Sequence, residues 1–177
     1  MSAIDTTPTN MNFLSPLKFT FKVNKLPHVN FFVQGITIPS IAISPNFQPS
    51  PFVKLPMPGD HIDFGELIVS FRVDEDMTNY LELFNWMIAI GFPKDFGQYK
   101  ALADQDRRIN PRSTDGIMSD GTVIIQNSNA KSNKKVTFIN MFPTTLSDLS
   151  FDTRQSDLEY IECSASFAYE RFDIASV

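Results

Sequence analysis

Residues 69–93 contain a switch of hydrophobic period, and this switch constrains how the rest of the chain can fold. Up to residue 73 every second position is apolar, which predicts a β-strand with one buried face. The residues on that face are Leu67, Val69, Phe71 and Val73. The acidic run at residues 74–76 ends the alternation, so the strand is expected to lead directly into a different element.

A helix is predicted to follow this strand. Asp76 or Thr78 can cap its N-terminus, and the acidic run suits the positive end of the helix dipole. Apolar residues then recur every three or four positions, at Tyr80, Leu83 or Phe84, Met87, and Ile90 or Gly91. Gly91 and Pro93 are predicted to end the helix. A strand joined to a short amphipathic helix gives the remaining strands a surface to pack on.

Alternation of apolar and polar residues predicts strands on both sides of this unit. The predicted segments are residues 17–23, 29–38, 62–73, 122–127, 135–142 and 159–169. The Ser-, Asn- and Lys-rich stretch between the fourth and fifth segments indicates a hairpin with a long turn. Together these features predict a mainly β fold, an antiparallel sandwich or barrel of about six to eight strands with one flanking α-helix.

The composition supports a single domain and disfavours several functions. The chain has 177 residues, 42% of them apolar and 17 of them Phe, which suffices for one core within a domain spanning residues 1–177. Its net charge of −5 disfavours nucleic-acid binding, because phosphate contacts require Lys and Arg. The single cysteine, Cys163, excludes an internal disulfide and a cysteine-based metal site, and it fits a reducing compartment.

Neither a membrane span nor a signal peptide is expected. The sequence has no run of about 18 uncharged apolar residues. Residues 1–10 are polar and lack the basic and apolar regions of a secretion signal. Residues 1–16 are predicted to form an N-terminal tail, and residues 94–121, which mix acidic and basic side chains, a polar insertion on the surface.

Residues 39–59 combine many prolines with many apolar side chains. Proline cannot donate a hydrogen bond to a ladder, so the segment is not expected in a central sheet. One interpretation is a long ordered loop over the domain's own core. We prefer an extended arm that contacts another subunit, because loops longer than about 15 residues tend to be functional or disordered. The expected contact residues are Ile41, Ile43, Phe47, Phe52, Val53 and Leu55.

No group of residues suits catalysis, cofactor binding or metal binding. His28 and His61 each stand alone in a turn-like setting, without partners at ligand or nucleophile–base spacing. The acids at 74–76 lack the pattern of a calcium loop, and helix capping explains them. Cys163 falls on the inward side of the last predicted strand and is expected to be inert. We therefore predict a protein that is not an enzyme and holds no cofactor.

The stretch VDEDMTNYLELFNWMIAIGFP, at residues 73–93, resembles the tail tube proteins of contractile-tailed bacteriophages and the tube-like domains of their baseplate proteins. The resemblance extends to the C-terminal part. There Phe142 and Pro143 are followed by the LSFD segment at 149–152 and then by the last alternating strand. With residues 17–38 it covers most of the chain, and it departs at residues 94–121.

The resemblance implies a virion structural protein of a phage tail. Proteins of this family form six-membered rings whose sheets join into one inner barrel, and an edge strand with unpaired backbone groups can make such a joint. Stacked rings form the inner tail tube, and phage DNA passes through it during ejection without specific binding. The implied partners are further copies of the chain, tail sheath and baseplate proteins. Assembly is expected in the host bacterial cytoplasm, without membrane insertion.

Several alternatives stay open. A baseplate tube initiator or a tube terminator would share the features of a main tube subunit, and so would a type VI secretion tube. A small β-barrel enzyme or ligand-binding protein belongs to a different class and would need a convergent polar cluster.

The wall of a DNA conduit is expected to be neutral or negative, because an acidic wall repels phosphate. The predicted lumen-facing residues are Thr137 on the hairpin and Glu162 and Ser164 on the last strand. A slip of one residue would exchange the two faces of any of these strands.

Overall fold

The computed structural model describes residues 12–91, 94, 97, 117–152, 154 and 160–177, and these form an antiparallel β fold with one long helix. The strands are β1 (Phe19–Val23), β2 (Val33–Thr37), β3 (Ile41–Ile43), β4 (Asn46–Gln48), β5 (Leu55–Met57), β6 (Ile62–Phe64), β7 (Leu67–Arg72), β8 (Ser119–Gln126), β9 (Ser132–Leu146), β10 (Glu162–Ala168) and β11 (Arg171–Ser176). The helices are α1 (Pro27–Phe32) and α2 (Thr78–Gly91). The predicted mainly β fold with one principal helix is confirmed, and the barrel is not closed within the described residues.

The main sheet has the strand order β1-β8-β9-β10-β7-β2, and β11 also pairs with β9. The 15-residue strand β9 belongs to both halves of this arrangement. Its first part lies between β8 and β11, whereas its last part pairs with β10. One half is thus the four-stranded set β1-β8-β9-β11, and the other is the set β9-β10-β7-β2.

The two C-terminal strands, β10 and β11, run antiparallel to β9 as one interrupted ladder. Ala168 pairs with Phe142 and Arg171 pairs with Ile139, so the register continues across the break. Sequence patterning predicted β10 but missed β11. It also ended β9 at Phe142, because proline normally stops a strand. Pro143 instead lies inside β9, where the register shifts between Ser166 and Phe167 and a ladder can accommodate proline.

The helix α2 begins at Thr78, after Met77, which has a φ of 54°. Asp74, which precedes the helix, accepts a hydrogen bond from its first turn, because its Oδ1 lies 3.2 Å from the backbone nitrogen of Asn79. The predicted caps, Asp76 and Thr78, are therefore wrong. Asp74 takes this role because the left-handed turn at Met77 folds the chain back on itself.

The buried face of α2 is rotated from the predicted face. Its buried residues are Asn79, Leu83, Trp86 and Ala89. Leu83 was predicted, but Phe84 is 43% exposed, and Tyr80 and Met87 are only partly buried. The helix turns its largest side chain inward, because the ring of Trp86 removes most apolar surface from water.

Residues 29–38 form two elements where a single strand was predicted. The first is α1, with Pro27 at its start, and the second is β2. A short run of apolar residues fits either a buried helix or a buried strand, and periodicity alone cannot distinguish the two. Proline at the first helical position favours the helix, because its fixed φ suits the first turn.

The core is formed by both halves of the sheet together with the two helices. Its largest fully buried side chains are Trp86, Phe71, Phe138, Phe167, Leu26, Leu67, Leu83 and Met141. The predicted inward face of the last strand is confirmed for Cys163, Ala165 and Phe167, which are at most 2% exposed. No described helix is long and apolar enough to cross a membrane.

The predicted strand at 62–73 is broken at Gly65, and its first part belongs to the arm instead. There β6 pairs with β3, and farther out β5 pairs with β4, so residues 41–64 form two short ribbons in sequence. The backbone nitrogen of Gly65 donates to the carbonyl of Ser40 at 3.0 Å, which holds the base of the arm closed. Most of the predicted tail at 1–16 and of the insertion at 94–121 lies outside the described residues.

Asn79 joins β7 to α2, and its replacement tests this junction. Its Nδ2 donates to the carbonyl of Arg72 at 2.7 Å, and its Oδ1 accepts from the backbone nitrogen of Tyr80 at 2.8 Å. We expect Asn79→Ala to lower the free energy of unfolding by about 1–3 kcal/mol, because it removes the hydrogen bonds of a fully buried side chain and leaves the partly buried Arg72 carbonyl without this partner. Urea unfolding measures the change. Asn85→Ala, on the exposed side of the same helix, should change stability by less than about 0.5 kcal/mol. Equal losses for the two variants would contradict this role.

Candidate assembly surfaces

The arm presents apolar side chains to solvent along its whole length. All six predicted contact residues are exposed: Ile41 56%, Ile43 54%, Phe47 60%, Phe52 98%, Val53 58% and Leu55 46%. None of them packs into the core of its own domain, so the interpretation of the segment as a loop over that core is wrong. Met57 and Ile62, which were not predicted, are also about half exposed.

Specific backbone contacts define the geometry of the arm. A Cβ placed on Gly59 would lie 2.1 Å from the carbonyl oxygen of Ser44, so the two ribbons meet where only glycine fits. At the same junction, Ser44 Oγ donates a hydrogen bond to Asp63 Oδ2 at 3.4 Å, across the inner ribbon. The arm reaches from Ser40 to Gln48, roughly 26 Å at the usual rise of a strand. An isolated two-stranded ribbon is marginally stable in water, which favours a partner for this surface.

One face of the inner ribbon is continuous with the core. Ile41 pairs with Phe64 and Ile43 with Ile62, so these four side chains share a face. The ring of Phe64 contacts Phe172 of β11, with centroids 5.5 Å apart. The apolar stripe on the arm therefore begins at the aromatic residues that close this side of the domain.

The four-stranded set β1-β8-β9-β11 ends in two strands that lack a second neighbour among the described residues. These are β1, which pairs with β8, and β11, which pairs with β9. Ile174 of β11 pairs with Val136 and shares the core side of the sheet with Phe21 and Val123, yet it is 61% exposed. The core side of the sheet is thus incomplete at the β11 edge.

The opposite face of this set is polar and carries Thr137. The register places Lys22, Thr122, Thr137 and Asp173 in one row across the four strands, and Thr20, Ile124, Lys135 and Ala175 in the next. Carboxylates gather at one end of the face: Asp120 Oδ1 lies 3.2 Å from the backbone nitrogen of Asn140. Lysines occupy the other end. Acidic and basic side chains thus share this face, and whether it lines a lumen stays a prediction.

Glu162 and Ser164 lie in the other half of the sheet, beside β7. Glu162 pairs in register with Arg72, and the carboxylate oxygen is 3.7 Å from Arg72 Nε. The pair is exposed, so its contribution to stability is small. Thr137 pairs with Asp173, nine positions along the ladder from Ser164, on the order of 30 Å away. The structure does not bring the three predicted lumen residues together, and their position in a lumen stays a prediction.

The two histidines each contact a carboxylate, and for His28 the sequence pattern gave no sign of the partner. His28 Nδ1 contacts Glu82 of α2, and the other oxygen of that carboxylate accepts from the backbone nitrogen of His28 at 3.1 Å. Glu82 thereby caps α1, which has no side-chain cap of its own. His61 Nδ1 lies 2.6 Å from Asp60. Contacts between residues 54 positions apart leave no trace in local patterning.

The described residues contain no cluster of three or more His, Cys, Asp or Glu that could hold a metal ion. Burial raises the pKa of the Cys163 thiol, and its hydrogen bonds with the hydroxyl and the carbonyl of Ser147 partly oppose this. A raised pKa keeps the thiol protonated and unreactive at neutral pH, as the inward position in the sequence pattern suggested.

No protein-family profile and no curated protein sequence matches the chain, but solved structures do. A chain of the anti-feeding prophage cap, a tube-terminating cap, has a TM-score of 0.65 at 14% identity, and the match covers 100% of both chains. A chain of the PVC sheath-tube complex, from an extracellular contractile injection system, has a TM-score of 0.58 at 14% identity, covering 100% of this chain and 99% of the other. A chain of the PVC sheath/tube terminator has a TM-score of 0.58 at 15% identity, covering 94% and 99%.

The fold therefore belongs to the tube-like β folds of contractile injection systems. More specifically, it is the fold of their tube and tube-terminator proteins, shared over nearly the full length of each chain. The resemblance to tail tube proteins that residues 73–93 suggested is confirmed for the fold. The match extends along the whole chain and includes β11 and the arm, which the sequence patterns did not resolve into strands.

The contact between His28 and Glu82 predicts a pH-dependent stability. The hydrogen bond to Glu82, and then its negative charge, raise the pKa of His28 above 6.5. Because the folded-state pKa is raised, the stabilisation is fully present below about pH 6.5 and is lost as pH rises through the raised pKa. Urea midpoints measured from pH 6 to pH 9 should fall over this window in the native chain. His28→Gln should remove the part of this fall that depends on the His28–Glu82 contact, and His61→Gln should retain it. The same pH profile for His28→Gln and the native chain would exclude this pair as its source.

Proposed function

We propose that this protein is a ring-forming subunit of the tube of a contractile injection system. The observation that carries the proposal is an arm with eight exposed apolar side chains on a domain whose fold matches tube-complex chains end to end. A monomer gains nothing from an apolar arm in water, whereas a stacked assembly buries it. The tube and terminator folds point to a structural protein rather than an enzyme.

Lateral ring closure would use the two free edges of the four-stranded set. In the order β1-β8-β9-β11 the strand direction alternates, so β11 of one copy and β1 of the next can pair antiparallel. The contact is heterologous, and such contacts close into rings when the rotation permits. Pairing would also place a neighbour beside Ile174 and complete the core side of the sheet. Six copies per ring is the number that the sequence resemblance implies.

Axial stacking would use the arm. Its ribbons reach well beyond the main sheet, and the apolar stripe through Ile41, Ile43 and Ile62 offers one continuous surface to a neighbouring ring. Sheath and baseplate proteins would be further partners, since the similar structures come from sheath-tube and terminator complexes. A main tube subunit needs such a surface for every ring that it adds.

A tube terminator is the second candidate. The match with the tube-terminating cap has a TM-score of 0.65, compared with 0.58 for the sheath-tube complex. A terminator would end a tube with one ring, whereas a tube subunit would extend it, so the length of assemblies separates the two. A role in a phage virion, with DNA ejected through the tube, is a narrower proposal that rests on the sequence resemblance.

The ring proposal predicts that assembly depends on Ile174. The native chain at high concentration should form rings or tubes in negative-stain electron micrographs. Ile174→Lys should leave the protein folded but monomeric, because a charge at the open core side of β11 would be buried by the neighbour. Ala175→Glu, at the adjacent residue on the opposite face, is the control and should still assemble, because it adds a charge outside the core side and opposite Lys135. A monodisperse 20.0 kDa native chain at millimolar concentration would contradict the proposed function.

The arm proposal predicts that stacking and ring closure can be separated. Ile43→Lys should yield single rings that do not lengthen into tubes, because it places a charge on the apolar stripe of the arm. Ala42→Lys adds the same charge to the opposite face of the ribbon, beside Asp63, and should stack normally. Particle length in micrographs gives the measurement. Normal tubes from Ile43→Lys would exclude this face from the contact between rings.

A further inference from the structure

The segment that precedes β1 forms a second exposed apolar surface, separate from the arm. Phe13, Leu14 and Leu17 are all exposed, Phe13 almost completely, and none of them packs against the core of the described residues. The backbone nitrogen of Leu17 donates to Ser15 Oγ at 3.4 Å, which gives the segment a local turn. Grouped apolar side chains in water mark a surface that is covered by a partner. We call residues 13–17 the N-terminal patch.

The N-terminal patch and the arm are attached at opposite ends of the four-stranded set. The patch precedes Phe19, which shares a row with Lys134 and Ser176 beside the turn between β8 and β9. The arm is attached beside Phe172, against which the ring of Phe64 packs. Phe172 and Ser176 are four residues apart in β11, about 13 Å along the strand. Both surfaces are exposed in the single chain, so neither covers the other.

The end of the four-stranded set that carries the N-terminal patch is rich in lysine. Its segments, which contain four lysines and no acidic residue, are residues 12–19, 124–136 and 174–177. The lysines are Lys18, Lys131, Lys134 and Lys135. Lys18 Nζ donates to the carbonyl of Ser128 at 3.1 Å, and Lys134 Nζ donates to Ser176 Oγ at 2.7 Å. Both acceptors are uncharged, so these contacts leave the positive charges in place.

The base of the arm has the opposite charge. Three exposed acidic side chains lie there: Asp60, Asp63 and Glu66. Asp63 accepts a hydrogen bond from Ser44 Oγ, and Asp60 contacts the imidazole of His61. The single lysine of the arm, Lys54, lies at the other end, in the tip. Acidic side chains next to one apolar surface and lysines next to the other favour their contact and disfavour contact between two surfaces of the same kind.

We infer that the N-terminal patch is the surface on which the arm of a second copy of this chain docks, in the adjacent ring. The inference rests on the proposed function. Strands of a closed barrel tilt by about 35–45° from its axis, so the two ends of the four-stranded set face the two sides of a ring. Rings stacked in one direction then bring the arms of one ring to the N-terminal patches of the next. This contact is heterologous and can repeat at every ring.

Each copy thus carries both halves of the contact between rings. The apolar stripe of the arm, through Ile41, Ile43 and Ile62, covers the apolar side chains of the patch, and the acidic base of the arm lies next to the lysines. A chain that keeps the arm but has a charged patch can join only one end of a growing tube, where it stops further addition.

Disulfide trapping between copies tests the contact. Chains with Ile43→Cys are mixed with tagged chains carrying Leu14→Cys or Leu17→Cys, assembled and oxidised. A heterodimer identified by its size should form on non-reducing gels, because a disulfide requires Cα atoms within about 7 Å. Ala42→Cys, on the opposite face of the ribbon, is the matched control and should give several times less heterodimer. The native Cys163 is buried and should not react. Circular dichroism confirms that each variant is folded.

The outcomes separate this inference from the proposed function, because micrographs of the same samples show whether rings and tubes are present. Tubes without the heterodimer, or with equal heterodimer from Ala42→Cys, would overturn the inference and leave the tube intact. Heterodimer already present in single rings would place the contact within a ring and overturn its assignment to stacking. A chain that forms neither rings nor tubes would refute the proposed function, and the inference with it. Heterodimer that appears only in tubes supports both.

Discussion

The continuous backbone pairing of β9 is the constraint on which the rest of the structure depends. Fifteen residues remain in one strand while the partners on one side change from β11 to β10. A left-handed residue, Asn140 with a φ of 54°, lies near this change, and its side chain donates to Glu170 at 2.6 Å. Both halves of the sheet therefore share one ladder. The helices cover the core side of this sheet. The shared ladder of β9 also sets the positions of the polar face, the free edges and the arm.

Sequence reasoning succeeded where local periodicity coincided with burial. The alternation at Cys163, Ala165 and Phe167 gave the correct inward face, because each strand position alternates sides and the core buries only one. The strand–helix junction at residues 69–91 was also located correctly. The arm segment was correctly recognised as unsuited to a central sheet, because its prolines cannot donate hydrogen bonds to a ladder.

Sequence reasoning failed where contacts distant along the chain decided the outcome. Glu82 caps α1 from another helix, which no pattern within residues 27–32 could show. The sequence of β11 does not identify it as a strand, because its partner strand β9 lies far away along the chain. The charge of the polar face depends on which residues of the four strands share a row, and the net charge of the chain does not contain this information. Thr137 was predicted to face a lumen, and this stays a prediction. That Lys22 and Lys135 lie on the same face as Thr137 could be known only from the register.

The arm has a further consequence through the glycine at its joint. The close approach of Gly59 to Ser44 and the hydrogen bond from Gly65 to Ser40 restrict the shapes that the arm can take in the free subunit. Part of the conformational entropy of ordering the arm is thus lost during folding, before any docking. Preorganisation of this kind strengthens association without any added contact. In the proposed stacked assembly, an arm restricted in this way would set the angle between successive subunits from within each chain.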